Sequence, residues 1–280
     1  MPEHSQPETP ILLELIGKSP FGPRSPFVEY YRPPRLGIIH LLAWTAATAV
    51  LLKFNVAMEM IETSSHFDEM PTALRVFRQV IQFVQSTVHA AGIVGVSVLL
   101  LGRVRGATGR LQPGHWIVAI DTVAFLVVHS WWALYTAARA SGIIERNTFG
   151  FGSNFIWFCL PFGVISLLRA ATYGATATGL RDARRWRVLF ATLAVVGLIV
   201  SLIQIAASFS RGRFGLFGLT NLPLWPLIIA AVLIPTVVLD LRRGPRRDWL
   251  HWLGIAVLAV GTALSMAWWM WSQLFNRFMN

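Results

Sequence analysis

Residues 74–101 read LRVFRQVIQFVQSTVHAAGIVGVSVLLL, and residues 115–138 read HWIVAIDTVAFLVVHSWWALYTAA. Both runs are long and apolar enough for membrane-spanning helices, which need about 20 predominantly apolar residues. Each run nevertheless carries polar side chains at helical spacing. Because polar side chains avoid lipid, we expect the two helices to face each other, or the interior of a bundle, along these polar rows.

The polar rows follow the geometry of the α-helix. In the first run they are spaced at i, i+4, i+7 and i+11, which places them on one face. In the second run a polar residue recurs every seven positions and drifts slowly around the axis. Helical rise brings His89 and His129 to a similar depth near the middle of the membrane. The rows comprise Arg78, Gln82, Gln85 and His89, and His115, Thr122, His129 and Thr136.

The composition of the whole chain is that of a membrane protein. Of its 280 residues, 55% are hydrophobic and only 13% are charged, whereas a soluble domain has about 25% charged residues. Further apolar runs bring the number of predicted spans to seven. The sequence therefore predicts an all-α, polytopic bundle over residues 36–280, after a polar, proline-rich cytoplasmic tail over residues 1–35. The predicted spans are residues 36–54, 74–101, 115–138, 154–173, 186–208, 222–241 and 250–271.

The formal net charge of +11 does not indicate nucleic-acid binding. The basic residues cluster in short turns between apolar runs and form no continuous stripe. The tail and the turns after spans 2, 4 and 6, together with Arg169, hold 16 of the 24 lysines and arginines. Under the positive-inside rule this predicts a cytoplasmic N-terminus and an external C-terminus.

The chain's partners and location follow from the same composition. The lipid bilayer is one partner, and other membrane subunits are a second expected class. Arginine outnumbers lysine 22 to 2, a bias typical of GC-rich bacterial genomes. We therefore expect a multi-pass protein of a bacterial inner membrane.

One functional hypothesis is the movement of a small solute or of protons. An ionisable row in a membrane helix is a functional feature by default, and histidine exchanges protons near neutral pH. Pro235 should kink span 6, which would supply a moving element. From the external side inward, the path would follow Arg78, Gln82, Gln85, His89, Thr122 and Asp121.

A second hypothesis is electron transfer by haem b. His115 and His129, 14 residues apart on one helix, resemble the arrangement in the membrane cytochromes b, where each such helix ligates two stacked haems. The resemblance implies bis-histidine ligation, with His89 and His129 holding one haem near the middle of the membrane. His40 and His115 would hold a second haem near the cytoplasm. The resemblance covers one helix only, because span 2 has Arg103 where a second histidine would fall.

A third hypothesis is a metal-dependent hydrolase with His89, His129 and Asp121 around zinc. Seven spans with an internal N-terminus are similar to the topology of the adiponectin-receptor-like family. The clustered histidine motif of that family near its last span is absent here. Asp121 also lies about 12 Å along the helix axis from His129, too far for one ion to bridge them. We therefore predict no metal site and assign no catalytic residues.

A fourth interpretation needs no chemistry. Polar side chains bond across membrane helices as packing contacts, each pair contributing about 0.6 to 2 kcal/mol. Asp121 would then pair with a neighbouring histidine or with Arg169. The protein would be a non-catalytic subunit or scaffold of a larger membrane assembly, and this is the function that the sequence favours.

Overall fold

The computed structural model describes residues 33–62, 71–107, 109–143, 153–180, 183–209, 222–243 and 247–279. Most of the predicted tail therefore lies outside the described residues. Within the described ranges the chain is all-helical in its regular structure, as predicted. The helices are α1 (Ile38–Glu62), α2 (Thr72–Val104), α3 (Pro113–Ala140), α4 (Ser153–Gly179), α5 (Arg184–Phe209), α6 (Leu224–Arg243) and α7 (Trp249–Met279).

Each of the seven predicted spans overlaps one helix. Six of the helices in the described part of the chain are long and apolar enough to cross a membrane. The helix outside this group is α4. Several helices exceed their predicted spans: α2 has 33 residues, about 50 Å at the helical rise, against roughly 30 Å of hydrocarbon. A helix of this length is longer than the hydrocarbon layer is thick.

Odd-numbered helices begin at the end of the bundle where even-numbered helices finish. Near the start of α3, the backbone N–H of Gly114 donates to Nδ1 of His251 near the start of α7, at 3.0 Å. Trp186 near the start of α5 donates to Asp240 near the end of α6, at 3.2 Å. We call this the basic end, because it carries Arg35, Arg103, Arg105, Arg110, Arg184, Arg185, Arg187, Arg242 and Arg247. The opposite, aromatic end carries Trp225, Trp268, Trp269 and Trp271.

Five helices form a closed ring in the order α3, α4, α5, α6, α7 and back to α3. α2 packs against both α3 and α7, while α1 packs mainly on α2. Near the basic end the ring is filled by a core cluster that includes Ile117, Leu189, Phe190, Leu233 and Leu258. The core therefore closes the interior at that end.

Glycines permit the closest approaches between helices. A Cβ atom on Gly114 of α3 would collide with the backbone carbonyl of His251, and one on Gly254 of α7 would collide with the carbonyl of Gly114. A Cβ atom on Gly92 of α2 would collide with the hydroxyl of Thr122 on α3. Small residues at such crossings let membrane helices pack backbone against backbone. They set how α2, α3 and α7 meet, and hence where the polar rows point.

Candidate functional site

A cavity of about 770 Å³ lies inside the bundle. Among the described residues, every helix except α1 contributes to its wall. Its volume falls in the range of small-molecule sites, about 300–1,000 Å³. Of the eight residues predicted for the polar site, five line this cavity: Gln85, His89, Asp121, Thr122 and His129.

The charged centre of the cavity is formed by α3 and α4. Nη2 of Arg169 lies 2.6 Å from Oδ1 of Asp121, and the hydroxyl of Tyr173 donates to the same oxygen. The guanidinium also lies over the ring of Tyr173, with Cζ 5.6 Å from the ring centroid. Arg169 and Tyr173 are four residues apart and so share one helix face. The sequence suggested Arg169 as a partner of Asp121 but missed Tyr173, although this spacing was the available signal.

The two charges are unequally accessible. The side chain of Asp121 is 12% exposed, whereas that of Arg169 is 42% exposed. Asp121 is covered by its two partners. Arg169 reaches Asp121 through one terminal nitrogen, while a guanidinium has five N–H donors. The cation, more than the anion, therefore faces the cavity.

His89 and His129 lie at a similar depth, with their ring centroids 5.8 Å apart. The ring of Phe125 stacks on His89 at 3.5 Å and contacts His129 at 3.7 Å between centroids. Nδ1 of His129 lies 3.1 Å from the carbonyl oxygen of Phe125, which assigns the ring proton to Nδ1 and leaves a lone pair on Nε2. Nδ1 of His89 is buried and has no hydrogen-bond partner within the described ranges.

This geometry does not fit a bis-histidine haem at His89 and His129. Such a haem requires two imidazoles on opposite faces of the porphyrin plane. Here the two histidines belong to helices that pack directly on each other, and Phe125 contacts both rings. No porphyrin plane can pass between the rings without displacing Phe125, so we derive no electron-transfer step. In the part of the chain that the structure describes, no group of three His, Cys, Asp or Glu side chains is placed to hold a metal ion.

His40 and His115 act at helix starts. Nδ1 of His40 accepts the backbone N–H of Gly37 at 3.1 Å, and Nδ1 of His115 accepts that of Gln112 at 3.2 Å. In each case a side chain in the first helical turn satisfies the N–H just before the helix, as in one half of a capping box. His115 is fully buried, and its Nε2–H donates to Asp248 at 2.9 Å. Both ring nitrogens of His115 are thus engaged, which disfavours the suggested second haem.

Towards the aromatic end, the polar row of α2 contacts α7 instead of α3. Trp268 donates through Nε1 to Oε1 of Gln85 at 3.3 Å. The guanidinium of Arg78 lies over the ring of Trp271, with Cζ 5.2 Å from the centroid. Gln82 is buried. The polar seam expected between α2 and α3 is therefore shared by three helices, because α7 packs against both.

A second buried polar cluster lies at the basic end. Arg247 makes two hydrogen bonds to the carboxylate of Asp240, at 3.0 and 3.1 Å, and Trp186 donates to the same group. Nε2 of His251 lies 3.5 Å from Oδ2 of Asp240. The cluster joins α5, α6 and α7 and was not foreseen from the sequence. The spacing of Asp240 and Arg247, seven residues apart with Gly-Pro between them in the sequence, was its only local signal.

The cavity offers three kinds of contact to a bound molecule. Arg169 presents N–H donors, and His89 and His129 present imidazole nitrogens near the middle of the bundle. The four tryptophans of the aromatic end also line the wall and add broad apolar faces. Comparison of the chain with protein-family models, with curated proteins and with solved structures finds no match.

Proposed function

We propose that the protein binds a small solute in its central cavity and moves that solute, or a proton, across the membrane. The observation that supports this most directly is the Asp121–Arg169 pair in the wall of a cavity of about 770 Å³. Protein interiors are normally close-packed, and ionised groups inside a membrane are costly and usually functional. A scaffold would need neither the cavity nor the charges beside it.

The proposal places all seven helices in the membrane. α4 carries Arg169 in its second half, and that charge is paired with Asp121. α4 also packs closely against α5, where the hydroxyl of Ser201 donates to the carbonyl of Gly163 at 2.7 Å. These contacts would allow α4 to cross the membrane beside α5. The basic end would face the cytoplasm of a bacterial cell, with the N-terminus inside and the C-terminus outside.

The cavity suggests how a solute would pass. It extends to the aromatic end, where Trp225 and Trp268 line its wall, while the apolar core cluster fills the basic end. Transport would require the basic end to open in turn. α6 is suited to move, because Pro235 lies inside it and removes one backbone hydrogen bond.

Proton movement can be measured directly in liposomes. Vesicles loaded with a pH-sensitive dye and given a potassium diffusion potential would report flux through the purified protein. We expect the double variant Asp121→Asn/Arg169→Gln, which removes both charges and leaves neither unpaired, to lose most of the flux. The matched control is Thr172→Val, on the exposed side of α4 next to Tyr173, which should keep it. Undiminished flux in the double variant would exclude this path for protons.

Solute binding can be measured without knowing the solute. A molecule that binds only the folded protein raises its melting temperature in proportion to the logarithm of its concentration over Kd. A broad panel of metabolites, tested on the protein in lipid nanodiscs, should contain such a molecule. Ser166 lines the cavity, so Ser166→Phe should partly fill it and abolish the shift. A panel without any stabilising member would count against a solute site.

The remaining hypotheses have their own measurements. An absorbance spectrum of the purified protein tests haem, since a Soret band that is lost in His89→Ala would restore that hypothesis and a colourless protein would remove it. The expectation of a non-catalytic subunit or scaffold stays a prediction. Partners that co-purify at fixed stoichiometry from native membranes would favour it.

A further inference from the structure

The accessible charge in the cavity is positive. Within the described ranges, Asp121 and Arg169 are the only charged residues that line the wall. The carboxylate is largely covered by Arg169 and Tyr173, whereas the side chain of Arg169 is 42% exposed. A molecule entering the cavity therefore meets N–H donors and finds no free carboxylate to pair with a cation.

A guanidinium in this position favours a particular kind of partner. Its planar fork of donors matches a carboxylate, and it is more weakly hydrated than an ammonium group. Asp121 and Tyr173 engage part of the guanidinium, and water or acceptor atoms of a ligand can satisfy the donors that remain. A ligand carboxylate would share Arg169 with Asp121, so that one cation lies between two anions. That arrangement makes binding moderate and reversible, as transport requires.

The rest of the wall favours an apolar body. Trp225, Trp268 and Trp269 line the cavity towards the aromatic end. Nε1 of Trp268 is engaged by Gln85, so this indole contributes its apolar surface. Arg78, over the ring of Trp271 at the same end, adds a second positive charge near the entrance and would attract an anion.

On these grounds we propose that the cavity binds an amphipathic organic monoanion, a carboxylate on an apolar body. The carboxylate would lie against Arg169 and the body among the tryptophans. This inference rests on the proposed function and specifies the substrate class of the same site. An aromatic acid dissolved in water and a fatty acid from the bilayer share this chemistry, and they are the two sources that the experiment distinguishes.

The experiment compares ligands that differ only in charge. The protein in zwitterionic-lipid nanodiscs is titrated calorimetrically with 2-naphthoate, the neutral 2-naphthamide and the cationic 2-naphthylmethylammonium, and separately with decanoate and decanamide. Empty nanodiscs give the partition blank. We expect the carboxylate of at least one series to bind about tenfold more tightly than its amide, since its hydrogen bond to Arg169 is charge-assisted. The series that shows the preference identifies the origin of the ligand.

Two variants assign that preference to a residue. Asp121→Asn/Arg169→Gln should bring the carboxylate and its amide to equal affinity while the apolar body still binds. Arg184→Gln removes an exposed arginine at the basic end, away from the cavity wall, and should keep the preference. Equal affinities in the wild type, tightest binding of the cation, a preference that survives the double variant, or no binding of either carboxylate would each overturn the inference.

Failure of this inference is distinguishable from failure of the proposed function. If no carboxylate binds but an uncharged or cationic member of the metabolite panel raises the melting temperature, and Ser166→Phe abolishes that rise, the site is real and its assigned chemistry is wrong. If no member of the panel binds and no proton flux is measured, the proposed function fails as well.

Discussion

At the scale of single residues, the scarce charges of this bundle are held by specific partners. Asp240 and Arg247 are almost fully buried, with side chains 1% and 5% exposed. A buried pair of this kind adds little net stability over an apolar pair, but removal of one member leaves an uncompensated charge. The difference between single and double substitutions is therefore the informative quantity.

Arg247→Met should destabilise the protein by about 3–5 kcal/mol, because the carboxylate of Asp240 would stay buried without the two hydrogen bonds and the positive charge of Arg247. Thermal unfolding in detergent measures the loss. The double variant Asp240→Asn/Arg247→Met should recover much of it, and Arg242→Met, at an exposed position of α6, should change little. A single variant as stable as the wild type would show that this pair does not hold α6 to α7.

Asp248 lies just before α7, where it accepts the N–H of His251 at 2.9 Å and the Nε2–H of His115. Burial raises the pKa of this carboxyl, but the hydrogen bond from His115 and then that from the His251 backbone outweigh it, so the pKa lies below its ordinary value. A lowered folded pKa means that the ionised group stabilises the protein at neutral pH. That contribution is lost as pH falls through the folded value.

Asp248→Asn keeps a good helix cap but removes the charge. We expect a lower melting temperature than the wild type at neutral pH, and a difference that shrinks below about pH 4 as the wild-type carboxyl is protonated. Melting curves of both proteins over this pH range measure the difference in melting temperature. A difference independent of pH would mean that the carboxylate charge makes no contribution.

At the scale of elements, α3 and α7 meet backbone to backbone at Gly114 and Gly254. Each glycine leaves no room for a Cβ atom, since the nearest atoms are backbone atoms of the other helix. His251 in the same contact accepts the N–H of Gly114. This crossing sets the distance between α3 and α7 and therefore the width of the cavity above it.

Gly254→Ala should push α7 away from α3 and cost about 1–3 kcal/mol or more, as overpacking does. Gly261→Ala on the same helix is the matched control, because nothing lies within 4 Å of its added Cβ atom. That control should be neutral or slightly stabilising, since alanine favours helix over glycine. Thermal unfolding compares the stabilities of the two variants. Equal stabilities would contradict a close contact between α3 and α7 at Gly254.

At the scale of the whole molecule, the proposed orientation follows from the arginines of the basic end. In a Cys159→Ser background, Arg185→Cys should be labelled by a membrane-impermeant maleimide only after the cells are opened. Ser272→Cys, near the end of α7 at the aromatic end, should be labelled in intact cells. Labelling of both positions from the same side would contradict an odd number of crossings between them.

The extent of sequence-based prediction is clearest at the histidines. Helical rise placed His89 and His129 at a similar depth, and the structure brings their rings together. The same periodicity put His115 on the polar row, yet its ring caps α3 and contacts Asp248. Periodicity specifies a face and a depth on one helix. It contains no information on which neighbour covers that face.

The amino-acid sequence by itself determined the positions of the helices, because hydrocarbon requires the backbone groups of a spanning segment to bond within that segment. It also determined that these helices carry few polar side chains. It also indicated that Asp121 would need a partner. Only the tertiary structure decided that α7 enters the seam, that Tyr173 joins Asp121 and Arg169, and that Arg169 is the charge left facing the cavity. Those outcomes depend on how helices rotate and cross, and close contacts between residues far apart in the chain set both.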